Sequence, residues 1–499
     1  MSFLSTQGGL NTTVARWSDA IGRWNPQLLR ELRGTLTVKS CVVAVSAAWV
    51  VQGLLAYGVS GSGSGQWHRD ALFLSRLIWV FLMALSGSAS IAQNWVREAK
   101  LGTLDFLRLS PEPPWRILLG KMLGVPALCY VAAIAWLPFH LYLAIRAGSD
   151  LGIWLATDLF NVSVLVTFLS IVLTLSTWAG KLNLMWAYIL GDFSFILWPL
   201  LFFGAAEADE GTAIPGGFWW FGVDLSQSTM LLLGWGAVVM MTITGFCWSV
   251  ACRRFNSPNA TPLLRRQVYQ LFAGFNLLCL GFFLPISDPL GPGAVGGWGA
   301  IATIWTMLQA LVLWGTMPSR QQLMDWGRYQ HFLRQNPQER NAQKQGVGKQ
   351  RKRPWNPSWN PLIWNSNSPP FMVPLANLVI TWVIWSPWVV MQAGNDNPVG
   401  VVLLLGLGIT TAILTTIGAI TVWIAIKMPR AQKFWLAAIA MASVTSLFSL
   451  GLFGASFAGL IGLSAIPASL ISIAFARGAL RQVGKSESQL MFDSSPQSP

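Results

Sequence analysis

Apolar runs of about twenty residues recur along this chain. A run of that length crosses a bilayer as a helix, because only a helix satisfies its own backbone N–H and C=O groups there. Twelve such runs stand near 38–57, 72–93, 122–145, 158–178, 183–204, 229–251, 269–286, 298–317, 371–392, 399–426, 433–454 and 457–476. Residues 434–476 are apolar almost throughout, and as one helix they would reach about 65 Å, so a hairpin near Gly454 is expected. Only 10% of residues are charged, against about a quarter in soluble domains. The expected fold is an all-α polytopic membrane protein of about twelve transmembrane helices.

Charge sets the expected orientation. With both termini cytoplasmic, every Lys and Arg except Arg69, Arg76 and Arg146 falls on the cytoplasmic side, as the positive-inside rule requires. The net charge of +14 then reads as topology and attraction to anionic lipids, not nucleic-acid binding. Residues 1–36 lack the apolar core of a cleavable signal. The five cysteines form no CxxC pair, which argues against a zinc site or a disulfide framework.

The chain divides into a cytoplasmic N-terminus (1–36), a six-span core (37–255), two further spans (256–318), a basic cytoplasmic linker (319–370), a four-span region (371–478) and a polar tail (479–499). In "WNPQLLRELRGTL", residues 24–36, Asn25 suits a helix cap and Pro26 its first position. Leu28, Leu29, Leu32 and Leu36 share one arc, leaving Arg30, Glu31 and Arg33 off it, so an interfacial amphipathic helix is expected.

The charged island 94–121 separates the second and third spans. Gly102 weakens helix continuation, Thr103 suits a cap for a short helix, and Leu104 and Leu107 share one face of it. Ser110, Pro111 and Glu112 read as the start of the next helix. A short helix with an apolar face at a membrane surface needs a cover, whether lipid, the chain's own linker or another subunit.

"NPQLLRELR", a span pair, and then Glu98, "GTLDFLRLSP" and "ILLGK" resemble the permease subunits of type-2 ATP-binding-cassette exporters over about residues 20–255. The resemblance implies an elbow helix (Asn25, Pro26, Leu28, Leu29, Leu32) and a coupling segment (Glu98, Gly102, Thr103, Leu104, Leu107, Arg108, Ser110, Pro111). Leu104 and Leu107 would enter a groove on a separate ATP-binding subunit, with Glu98 and Arg108 making polar contacts around it. It also implies a second permease copy or a different permease as partner, and a bacterial inner membrane. ATP and magnesium would sit on the ATPase, leaving this chain without cofactor, metal or catalytic residues. The nearest P-loop pattern, "QKQGVGKQ", has Gln343 for the first Gly and Gln350 for Ser or Thr, and fails.

A rival reading is an ATP-independent transporter or channel. Asp192 is the carboxylate placed nearest mid-depth, and it marks either a path or a satisfied buried partner. Ser163, Thr167, Ser170, Thr174 and Thr177 form one stripe on the fourth span, either lining a path or packing against another helix. With only His68, His140 and His331, enzymatic chemistry in this chain is not expected.

Overall fold

The computed structural model describes residues 16–60, 67–178, 219–258, 260–283, 320–336 and 372–393, with short pieces between 304 and 318 and at 363–364. Asp192 and the expected spans 183–204, 399–426, 433–454 and 457–476 lie outside the described residues. The structure is 87% helical. Among the described residues, six helices are long and apolar enough to cross a membrane. The chain is thus an all-α, multi-pass membrane protein.

Two compact units are present, one from Met1–Phe218 with Asp224–Asn259, the other from Trp219–Val223 with Ala260–Pro499. The first contains α1 (Pro26–Thr35), α2 (Val38–Ser60), α3 (Trp67–Leu101), α4 (Thr103–Arg108), α5 (Pro114–Gly124), α6 (Ala127–Arg146), α7 (Leu151–Trp178) and α8 (Thr229–Asn256). Its centre is α7, which packs along α8 and α3. Its most apolar stretch is 72% buried, against 17% for that of α2, which packs on α6 and leaves most of its surface to the surroundings.

Two expected boundaries shift. At 35 residues, α3 is about 52 Å long and outreaches a hydrocarbon core of about 30 Å, so the island is partly the protruding end of a span. The expected span at 122–145 is two helices, α5 and α6, broken at Val125–Pro126 because Pro126 has no N–H to continue the ladder.

The second unit contains α9 (Arg265–Phe283), α10 (Arg320–Gln335) and α11 (Met372–Ala393). Polar side chains hold it together inside. Trp385 Nε1 donates to Asn276 Oδ1 at 3.0 Å, Asn377 Nδ2 to Gln309 Oε1 at 3.0 Å, and Trp305 Nε1 to Thr381 Oγ1 at 3.2 Å. The region expected as linker opens with α10, which buries Leu323 and Met324 on one face. Phe221 and Gly222 both have positive φ, 46° and 81°, the signature of a type I′ turn. That turn rests on Gly281, where an added Cβ would fall 2.2 Å from the Trp220 ring.

Candidate functional site

The island is built around one glycine. Gly102 has φ +73°, left-handed backbone that breaks α3 from α4. Thr103, expected to cap α4, is its first residue, and its hydroxyl donates back to the Glu98 carbonyl at 3.3 Å. Ser110 and Pro111, expected to open the next helix, close this one instead: Ser110 Oγ donates to the Leu107 carbonyl at 2.8 Å. The next helix begins at Pro114, after Pro113.

Spacing placed Leu104 and Leu107 on one face correctly, but that face turns inward. They are 4% and 9% exposed, whereas Leu101, Phe106 and Leu109 are 70%, 75% and 85% exposed. Arg108 also works within the chain. It pairs with Asp105 at 2.6 Å, donates from Nε to the Phe255 carbonyl at 3.0 Å, and stacks its guanidinium over the Phe255 ring. This satisfies a carbonyl in the last turn of α8, where a cation suits the helix dipole.

Beneath α4 lies a buried charge cluster drawn from α1, α3 and α5. Lys121 Nζ lies 2.5 Å from Glu98 Oε2, 3.0 Å from Asn94 Oδ1 and 3.7 Å from Glu31 Oε1. Arg30 pairs with the other Glu98 oxygen and, at 3.3 Å, with Glu31. Gln27 Nε2 and Asn94 Nδ2 donate to Glu31 at 2.6 and 3.4 Å. Two cations thus balance two carboxylates, with Lys121, Glu98 and Glu31 buried and Arg30 half exposed at the edge, the pairing that makes buried charge tolerable. Burial pushes the Lys121 ammonium below its usual value, and Glu98 and Glu31 pull it back.

This cluster explains a departure in α1. As expected, Asn25 caps it, accepting from Leu28 N at 2.9 Å, with Pro26 at the first position. The inward face, however, is Asn25, Gln27, Leu28 and Glu31, while Leu29 and Leu32 are half-buried and Leu36 is exposed. The polar edge of the helix is thus buried against the protein together with Leu28, and the exposed Leu36 lies just past the helix. Gly120 and Gly124, one turn apart on α5, admit the close approach; an added Cβ at Gly124 would stand 2.5 Å from Glu31 Cβ.

The hydroxyl stripe of α7 is a seam with α8. Thr167 Oγ1 lies 3.0 Å from the Met240 carbonyl and 2.9 Å from Thr244 Oγ1, Thr174 Oγ1 donates to the Cys247 carbonyl at 3.1 Å, and Trp248 Nε1 donates to Ser170 Oγ at 3.1 Å. Thr167, Ser170 and Thr174 are all buried. Replacing Thr174 by Val keeps the shape and removes one interhelical bond, so a loss of about 0.6–1.7 kcal/mol is expected in detergent unfolding.

Sequence reasoning missed a second polar chain near the opposite ends of α3, α6 and α7. Trp136 Nε1 donates to Ser75 Oγ at 2.9 Å, Ser75 meets His140 Nδ1 at 3.0 Å, and His140 Nε2 faces Asp158 at 3.4 Å, with Arg76 3.5 Å from Asp158. An indole N–H only donates, so Ser75 Oγ accepts it, and the hydroxyl shares a second hydrogen bond with Nδ1. Residue types alone suggest an acyl-transfer triad. Ser75 is fully covered, however, and its oxygen already holds the indole proton, so no carbonyl reaches it. His140 and Asp158 stand 18 residues apart, but Ser75 comes from 61 residues before Trp136 and 65 before His140, so no local spacing announces the group.

Among the described residues, no three His, Cys, Asp or Glu group as metal ligands. No family model, curated protein or solved structure matches this chain.

Proposed function

We propose that this chain is the membrane-spanning permease subunit of a type-2 ATP-binding-cassette exporter, driven by a separate ATP-hydrolysing subunit. In this reading the end bearing α1 and α4 is cytoplasmic, as the distribution of Lys and Arg favours, and the membrane is a bacterial inner membrane. The single observation that carries the proposal is the construction of the island. A six-residue helix stands at the tip of a protruding span with Leu101, Phe106 and Leu109 outward, and each of its ends is fastened to a different span.

The mechanism follows from those fastenings. ATP draws two ATPase subunits together, and the motion presses on α4. Thr103 passes the push to α3, Arg108 passes it to the end of α8, and the inward Leu104 and Leu107 prevent slip. The cluster of Lys121, Glu98 and Glu31 makes α1 and α5 move with α3. The spans then rearrange at an interface with a second permease, whether another copy of this chain or a different one. The ATP-independent alternative is less favoured, because the hydroxyls of Thr167, Ser170 and Thr174 are engaged by α8 and α7's own carbonyls.

This reading moves the docking contact from Leu104 and Leu107 to Phe106 and Leu109. Changing the latter pair to Asp is expected to weaken ATPase association by at least about 100-fold, since each apolar side chain withdrawn from an interface is worth about 1.5–3 kcal/mol. The measurement is the yield of P-loop ATPase co-purified in mild detergent at equal permease levels. Wild-type-like co-purification by the Phe106→Asp/Leu109→Asp protein would sink the proposal.

A further inference from the structure

Between α2, α3 and α6 runs a crevice of about 250 Å³. Small side chains on two facing helices create it: Ala44 and Ala48 on α2 oppose Ala132 and Ala133 on α6, with Trp79 and Trp136 as further walls. Its polar groups include Ser86 and Cys129, and these bond each other at 3.2 Å. A slot this apolar stays free of water.

We propose that this crevice binds one acyl chain of an anionic phospholipid from the leaflet adjoining α1. Three observations select that occupant. All three helices are membrane-crossing, and the residues flanking the slot, Val43, Val50 and Ile134, are 67%, 60% and 67% exposed, so the crevice opens toward hydrocarbon. The volume compares with the roughly 150 Å³ cavity that accepts a benzene ring; it admits a chain segment, whereas a helix is about 10 Å across. Basic charge stands at that end of α2: Arg33 and Lys39 are both exposed, near the junction of α1 and α2. Lys39 lies about 7.5 Å before Ala44 along the helix rise, on the lipid-facing side with Val43 and not among the slot's walls, so it meets the headgroup of a lipid whose chain enters from that side. A phosphate held at that level sends its chain into the slot, and basic groups at the membrane surface draw anionic headgroups. The site does not depend on the exporter reading.

The test uses the full chain in vesicles of phosphatidylethanolamine and phosphatidylglycerol, with a diazirine in the acyl chain of one or the other lipid. After irradiation, adducts are mapped by peptide. Phosphatidylglycerol adducts are expected to concentrate on 44–51 and 128–136. They should fall about tenfold in Ala44→Phe and in Ala133→Phe, each of which fills the slot from a different helix. Val43→Phe, outside the slot, should leave them unchanged, and melting temperatures of the three variants show whether each is folded. Adducts spread evenly over Val43 and Ile134 and insensitive to filling would mean passing lipid contact only and would overturn the site. Equal labelling by both lipids would overturn its anionic preference. Adducts joining two copies of the chain through these segments would make the slot a subunit interface and overturn the lipid assignment.

Discussion

Lys121→Met is expected to deplete the folded protein more than any other single exchange in the first unit. Glu98 and Glu31 are 3% and 6% exposed, and the change leaves them facing each other with only Arg30, itself half in solvent, for charge. Breaking a buried pair by removing one partner costs about 3–5 kcal/mol, a large part of the roughly 5–15 kcal/mol that keeps a domain folded. Monodisperse yield and melting temperature in detergent report it. Coupling is the sharper readout: Lys121→Met/Glu98→Gln removes one charge of each sign and should recover part of the loss. A double variant no better than Lys121→Met would show that the ion pair is not what holds α1, α3 and α5 together.

Gly124→Val is the second large effect. The new Cβ would sit 2.5 Å from Glu31 Cβ, and because both atoms are fixed to backbone, α1 itself must move. Overpacking costs about 1–3 kcal/mol, and shifting α1 also draws Glu31 away from Lys121. Gly120→Ala acts on the same seam, meeting Asn25 Oδ1 and Leu28 N at 2.8 Å, the two atoms of the cap bond. Trypsin should then cut at Arg30 or Arg33 far faster than in the parent. Gly34→Ala provides the contrast, because nothing lies within 4 Å of its added Cβ; a gain of about 0.5–1 kcal/mol is expected there from helix propensity. Equal protection of Gly124→Val and the parent would mean that α1 does not depend on close approach to α5.

What was legible in the sequence was local. Asn25 and Pro26 mark the start of α1 because a cap involves residues three apart. Leu104 and Leu107 share a face because helical spacing dictates it, and the same spacing is silent on whether the face points to a partner or to the core. The α7 stripe was legible as a stripe, but its partners Met240, Thr244 and Cys247 lie more than seventy residues on. Lys121 with Glu31 joins the charged island to the N-terminal helix across about 90 residues, and Ser75 with His140 joins two runs that hydropathy reads as separate spans. Pro126 was visible, yet the apolar residues around it masked the break.

The wiring of Glu31 also has a consequence for biosynthesis. About 90 residues separate this carboxylate from Lys121, so at roughly 5–20 residues per second the ribosome delivers the ammonium about 5–20 s later. Until then the Glu31 carboxylate lacks the ammonium that lets it sit buried between α1 and α5. Docking of α1 therefore reports that α3 and α5 have been made and inserted. A nascent chain stalled before residue 121 has Arg30 alone to balance Glu31 and Glu98, one cation for two carboxylates.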